Sequence, residues 1–146
     1  MGEEATPSYT ETWELTVNMI EWTFKEQPFK LNLYDCGALF LRKFSFYKQQ
    51  LLLDAKLIVH VFSFSSAMNA KQVEEQIEKF RTEGKKELAI ITHADEQFGA
   101  FLTEASFKST LASCGVTHVL ILNIFEDSHE EVLEKVCEVL SEKLIK

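Results

Sequence analysis

From residue 13 to residue 24 the chain reads WELTVNMIEWTF. Trp13, Leu15, Val17 and Met19 alternate with polar residues, and Ile20, Trp22 and Phe24 continue on the other parity. A period of two in residues rich in Thr, Val, Ile and aromatics predicts a strand. The change of parity predicts a bulge, or a strand wetted differently along its length. Residues 25–28, KEQP, predict a turn. Phe29, Leu31 and Leu33 then alternate with Lys30 and Asn32, which completes an antiparallel hairpin.

The pattern changes after the hairpin. Residues 38–53 place Leu41, Phe44, Tyr47, Leu51 and Leu52 at spacings near three and four, an amphipathic helix or a partly ordered helical segment. Residues 55–64, AKLIVHVFSF, are a nearly unbroken apolar run, which fits a strand buried on both faces. A charged helix over about 69–83 carries Val73, Ile77 and Phe80 on one face, with Gly84 as its stop. A buried strand at 87–92 follows, then a helix at about 103–113, Gly115, and the strand THVLILNIF at 117–125. The last helix, about 128–145, carries Val132, Val136, Val139 or Leu140, and Leu144 as an apolar stripe. Strands and helices that alternate in this way specify an α/β fold, a mostly parallel sheet with helices on both faces. Ligands of such sheets bind at the carboxyl ends of the strands, here after residues 34, 64, 92 and 123.

Composition narrows the function. A chain of 146 residues is expected to form one domain, taken as 11–146 behind a tail at 1–10. The net charge of -8 argues against nucleic acid, whose affinity comes from Lys and Arg neutralising phosphate, and against anionic lipid. No apolar run is long enough to span a bilayer. Met1-Gly2 with Thr6 fits the N-myristoylation template, but no basic cluster supplies a second membrane signal, so no stable anchor is expected. The opening residues lack the regions of a signal peptide, and a cytoplasmic location is expected. Cys36, Cys114 and Cys137 are then free thiols.

Two strand ends carry candidate chemistry. In Asp35-Cys36-Gly37 the Asp can hold a Mg²⁺-bound water, and the Gly can offer its backbone N–H to a phosphate. The same residues also fit an Asp capping the next helix, with Gly easing the turn. In Thr92-His93-Ala94-Asp95 the Asp can accept two N–H donors from a purine, with Thr92 and His93 bracing the loop, or it can simply cap a polar turn. Cys114 and His118 have a ligand-like spacing but no second pair to complete a metal site. His60, inside an apolar strand, reads as a hydrogen-bonded core residue. No Ser-His-Asp set is legible.

Both motifs, in this order and at these strand ends, resemble the small GTPases of the Ras/Rab superfamily. More narrowly, the chain resembles the Rem- and Rab-like branch of ciliogenesis and planar polarity effectors. The resemblance rests on Tyr34-Asp35-Cys36-Gly37 with its shortened spacing, Arg42-Lys43-Phe44, Phe62-Ser63-Phe64, and Glu11-Thr12 with Trp22 and Lys25. It covers about residues 11–64, continues more loosely through Thr92-His93-Ala94-Asp95, and beyond residue 96 rests on element order alone. It implies a three-layer P-loop-NTPase-like sheet, mostly parallel with one antiparallel hairpin edge, whose first strand and phosphate loop are missing here. It also implies a GTP/GDP and Mg²⁺ site marked by Asp35, Gly37, Thr92, His93 and Asp95, with Thr12 and Asp35 toward the metal. The implied role is in cilium assembly and planar cell polarity, at the basal body, with proteins of that effector complex as partners.

The departures are specific. There is no G-x-x-x-x-G-K-[ST], and Gly84-Lys85-Lys86 is the nearest string. No water-positioning Gln follows Gly37, so GTPase catalysis is left open. The alternatives are a nucleotide-free interaction module, with the apolar residues of the hairpin and of 39–47 as its partner surface, and a shortened product of a longer gene. Loss of the first strand leaves three outcomes: residues 29–34 pair in parallel with 55–64, which is the first expectation, residues 1–10 fill the gap, or another chain donates a strand.

Overall fold

A computed structural model describes residues 14–64, 68–93, 103–123 and 126–144. These fall into two compact units. One spans Met1–Asp54 and Leu133–Lys146, and the other spans Ala55–Val132. The fold is α/β, with a two-stranded antiparallel sheet in the first unit and a three-stranded parallel sheet in the second.

In the first unit, β1 (Leu15–Phe24) and β2 (Gln27–Cys36) pair without interruption from Leu15↔Cys36 to Phe24↔Gln27. There is therefore no bulge. The parity change separates two faces instead. Ile20, Trp22, Phe29, Leu31 and Leu33 share one face and are half-buried, whereas Val17, Met19 and Tyr34 lie on the other and are exposed. The turn is also shorter than the four residues expected, because Gln27 and Pro28 join β2. Only Lys25 and Glu26 connect the strands, both left-handed at φ 48° and 64°. A two-residue hairpin of this kind matches the twist of its strands only with positive φ at both positions.

Trp22 stacks on Phe29 at 5.4 Å, and its indole Nε1 donates to Ser141 Oγ at 2.8 Å. Ser141 is buried and donates in turn to the Cys137 carbonyl at 2.6 Å. The final helix α5 (His129–Val139) thus runs into a π-helical turn at Leu140–Leu144, which fixes Ser141 on the indole. Lys25 and Glu142 add an exposed ion pair at 2.6 Å.

The expected helix over 38–53 is two helices, α1 (Ala38–Lys43) and α2 (Ser45–Asp54). Phe44 breaks them with φ -121° and ψ 59°. α2 has no buried residue, so it is not the core-facing amphipathic helix that the spacing predicts.

In the second unit the strands run β3 (Leu57–Ser63), β4 (Lys86–Thr92) and β5 (His118–Ile121), in that spatial order and all parallel. Helices α3 (Ala70–Phe80) and α4 (Glu104–Ser113) make the crossovers. Both bury their apolar stripes, Val73 and Ile77 from α3, Phe107 and Leu111 from α4, in one core with Phe62, Phe64, Ala89 and Ile91. They therefore share a face of the sheet. Two right-handed crossovers advancing in one direction lead to this arrangement.

The helix ends have local causes. Asn69 and Gln72 form a reciprocal capping box at the start of α3, and Thr103 caps α4 through the Ser106 N–H. α4 stops in a Schellman motif, with Gly115 at φ 84°, Gly115 N–H on the Ala112 carbonyl and Val116 N–H on the Leu111 carbonyl, both at 2.9 Å. α3 ends at Phe80, earlier than expected, and Gly84 serves the turn before β4 with φ 76°.

Among the described residues β2 pairs with β1 and β3 with β4, in two sheets, and no ladder joins 29–34 to 55–64. Among the described residues β3 is at the edge of the parallel sheet. Its residues Ile58, His60 and Phe62 are buried, while Val61 on the other face is 57% exposed, so the strand is not buried on both faces.

Candidate functional site

The carboxyl ends of β3 and β4 bring Ser63, Thr92 and His93 together. Ser63 and Thr92 are register partners, and Thr92 Oγ1 donates to the Phe62 carbonyl at 3.1 Å. His93 Nδ1 lies 2.9 Å from Thr92 Oγ1 and 2.8 Å from Ser63 Oγ. The one hydroxyl proton of Thr92 is already given to Phe62, so toward the imidazole its oxygen accepts. His93 Nδ1 thus sits at a junction with both hydroxyls. His93 has a φ of 55°, a left-handed backbone that directs the chain out of the strand.

One register step further, Asn123 follows the end of β5. Its Nδ2 donates to Glu126 Oε2 at 2.5 Å and its N–H to Asp127 Oδ2 at 3.4 Å. Its Oδ1 is a buried acceptor with no partner among the described residues. Thr92 and His93 were legible as a polar strand end. Ser63 and Asn123 were not singled out, although each is the first polar residue after an apolar run, the signal that marks Thr92. Asp95 and Thr12 lie outside the described residues.

Asp35 and Gly37 belong to the first unit. Asp35 is exposed and lies opposite Thr16 in the hairpin. Gly37 is buried and donates its N–H to the Glu14 carbonyl at 3.0 Å. That amide is engaged within the hairpin unit. Gly37 is the N-cap of α1 without a side-chain capping bond, so Asp35 does not cap the helix either. Cys36 beside it has its thiol pushed up by burial and then by the Asp35 carboxylate. Burial does the same to Cys137. Both stay protonated near neutral pH, which makes them poor nucleophiles.

His60 is the buried polar residue that the apolar run predicts. Its Nε2 lies 3.3 Å from Glu87 Oε2 across the β3–β4 pair, and Arg81 Nε lies 3.6 Å from Glu87 Oε1. Arg81 also pairs with Glu78 at 2.7 Å and donates to the Cys114 carbonyl. This network ties the ends of α3 and α4 to the sheet. Burial lowers the His60 pKa below the ordinary value, against the raising pull of Glu87. His118 is half-buried at the start of β5, and no group of three or more metal-ligating side chains gathers among the described residues. No helix of the described residues is long and apolar enough to cross a membrane.

Taken as chemistry, the described residues of the rim at the ends of β3, β4 and β5 offer two hydroxyls, an imidazole and an amide, which can bind a polar ligand. No protein-family model matches this chain, and no curated protein matches it.

Proposed function

We propose that this chain is a protein-interaction module built on a small-GTPase-like α/β scaffold, of the kind its sequence resembles among ciliogenesis and planar polarity effectors. The observation that carries the reading is the aromatic cluster of α1 and α2. Phe40, Phe44 and Tyr47 lie with ring centroids 5.1–6.0 Å apart, and Phe46 stands 6.1 Å from Tyr47. Phe46 is 74% exposed and Tyr47 53%. Clustered exposed aromatics of this kind are the usual anchors of protein interfaces. The partners in this reading are proteins of the ciliogenesis and planar-polarity effector complex, met in the cytoplasm at the basal body.

A second reading, a GTP/GDP and Mg²⁺ site, is favoured by the polar rim of Ser63, Thr92 and His93 at the strand ends. By the resemblance, that reading assigns Asp35, Gly37, Thr92, His93 and Asp95 to the nucleotide and Thr12 and Asp35 to the metal. The engaged amide of Gly37 counts against its phosphate half.

Calorimetry with purified proteins of that complex separates the readings. The interaction module binds without nucleotide, and Phe46→Ala with Tyr47→Ala weakens binding at least about tenfold, the loss expected of one anchor worth roughly 1.4 kcal/mol or more. No binding by the wild type, or binding indifferent to both substitutions, refutes it. A nanomolar Kd for GDP or GTP in the presence of Mg²⁺ supports the second reading instead.

A further inference from the structure

Between Cys36 and Leu53 the chain carries Arg42, Lys43 and Lys48 and no Asp or Glu, a basic island in a sequence of net charge -8. Ser45 lies in that island, with Arg42 three positions before it, Lys43 two before and Phe46 directly after. Of the twenty serines and threonines of the chain, it alone has basic residues at both of those places. Thr82 has Lys79 three positions before it, but Phe80 two before. Protein kinases choose among hydroxyls largely by the charge pattern around them. Arginine-directed kinases set carboxylates against the third and second residues before the hydroxyl, and an apolar pocket against the residue after it.

The structure leaves this pattern within reach. Arg42, Lys43, Ser45 and Phe46 are all exposed, Phe46 by 74%. Arg42 and Lys43 close α1, a helix of six residues, and Ser45 opens α2. A kinase reads such a segment in extended form. Extending it breaks the bond from Phe44 N–H to the Phe40 carbonyl at 2.9 Å. It also breaks those from Tyr47 and Lys48 N–H to the Phe44 carbonyl, at 3.0 and 3.4 Å. No residue of α2 is buried, and helices this short are marginal by themselves, so the opening costs little.

We propose that Ser45 is a phosphorylation site for an arginine-directed protein kinase using ATP. Ser45 Oγ attacks the γ-phosphorus, and the bond from that phosphorus to the β–γ bridging oxygen breaks. ADP leaves, and the hydroxyl proton passes to the catalytic carboxylate of the kinase. The product adds about -1.5 to -2 charge directly beside Phe46. α2 has no acidic residue in its first turn, and Arg42, Lys43 and Lys48 all lie within three positions, so the new charge favours the helix. Its effect on the aromatic face is the opposite, and this part rests on the reading of that face as a protein interface. A phosphate at the rim must give up water when the rings are covered, so partner binding weakens.

The test incubates the full chain with ATP and the catalytic subunit of cAMP-dependent protein kinase. A synthetic peptide of residues 38–50 is treated alongside, and the modified positions are read by tandem mass spectrometry. Phosphate is expected on Ser45 in both, and nowhere in the peptide carrying Ser45→Ala. Arg42→Ala with Lys43→Ala should slow the reaction at least about tenfold, since each removes a charge partner of the kinase. The same pair of substitutions in the peptide repeats that comparison free of any effect on folding. A folded chain without phosphate on Ser45 overturns the proposal, whether or not the peptide is modified. So does a rate indifferent to Arg42 and Lys43 in the peptide. Calorimetry then compares the phosphorylated and unmodified chains against the same effector-complex protein, with at least tenfold weaker binding expected after phosphorylation. Equal affinity overturns the effect on binding, whereas no binding by the unmodified chain refutes the interface reading and leaves the modification site standing.

Discussion

Phe107→Ala should be the costliest single truncation in the parallel unit. The ring is 2% exposed, meets Phe64 edge-on at 5.3 Å between centroids and lies 5.9 Å from Phe62. It is the residue through which α4 reaches the centre of the core, so truncation removes the transfer energy of the ring and leaves a cavity under the helix. The expected loss is about 3–5 kcal/mol. Against a total stability of about 5–15 kcal/mol this is from about a fifth to the whole of the reserve. For a chain of this size the melting temperature falls by roughly 6–20 °C. The assay is equilibrium unfolding in urea, with Phe46→Ala as internal control. Phe46 is the same residue type at 74% exposure, and its truncation should change stability by less than about 0.5 kcal/mol. A double-mutant cycle with Phe64→Ala should show coupling of about 0.5–1.5 kcal/mol, the excess of an aromatic pair over its area. If Phe107→Ala and Phe46→Ala cost the same, the assignment of the core is wrong. If the cycle is additive, the two rings do not share a packed contact.

Because burial lowers the His60 pKa, the unfolded chain takes up the proton first as pH falls, at about 6.5. Stability is then fully present above that value and lost as pH falls through the folded pKa; His60→Gln should flatten the fall between about pH 7.5 and 5.5, and an unchanged slope rejects the reading. Trp22→Phe should cost about 1 kcal/mol by removing the indole bond to Ser141, and equal stability of the two proteins would show the bond to be worthless. Glu26→Gly should stabilise by about 1 kcal/mol, since φ 64° strains a residue with a Cβ and not glycine, and a destabilised variant in the same melt contradicts the turn geometry.

What was legible in the sequence was local. The bounds expected for α4, 103–113, fall within a residue of the helix found, because Thr103 and Gly115 are its cap and its stop. The end of α3 was misplaced for the converse reason. Arg81 is drawn out to Glu78, Glu87 and the Cys114 carbonyl, and two of those partners come from later in the chain. The order of strands was not legible either. An apolar run such as 57–63 has the composition of an interior strand wherever it sits, and its edge position depends on which ladders form. At the candidate site, Thr92 and His93 could be placed at a strand end from sequence. The bond from Thr92 Oγ1 to the Phe62 carbonyl could not, because it depends on the β3–β4 register.

The spacing of α2 explains why its apolar content stays at the surface. Side chains of a helix share a face at separations of three, four and seven. Phe46 and Leu53 are seven apart and share one face, 74% and 62% exposed. Leu51 and Leu52 lie toward the opposite side and are half-buried, and Tyr47 falls between. Apolar residues therefore surround the helix, and no single orientation against its own unit can bury them all. Turning Phe46 and Leu53 inward would expose Leu51 and Leu52 instead. A polar residue at 46 or 53 would have given an ordinary surface helix at no cost to the buried side. The excess is thus not explained by the fold of the unit, and it sits beside Phe44 and Tyr47, whose rings it continues. A surface of this kind is stabilised only by something that covers it, which is the physical ground for reading this helix pair as the binding face of the molecule.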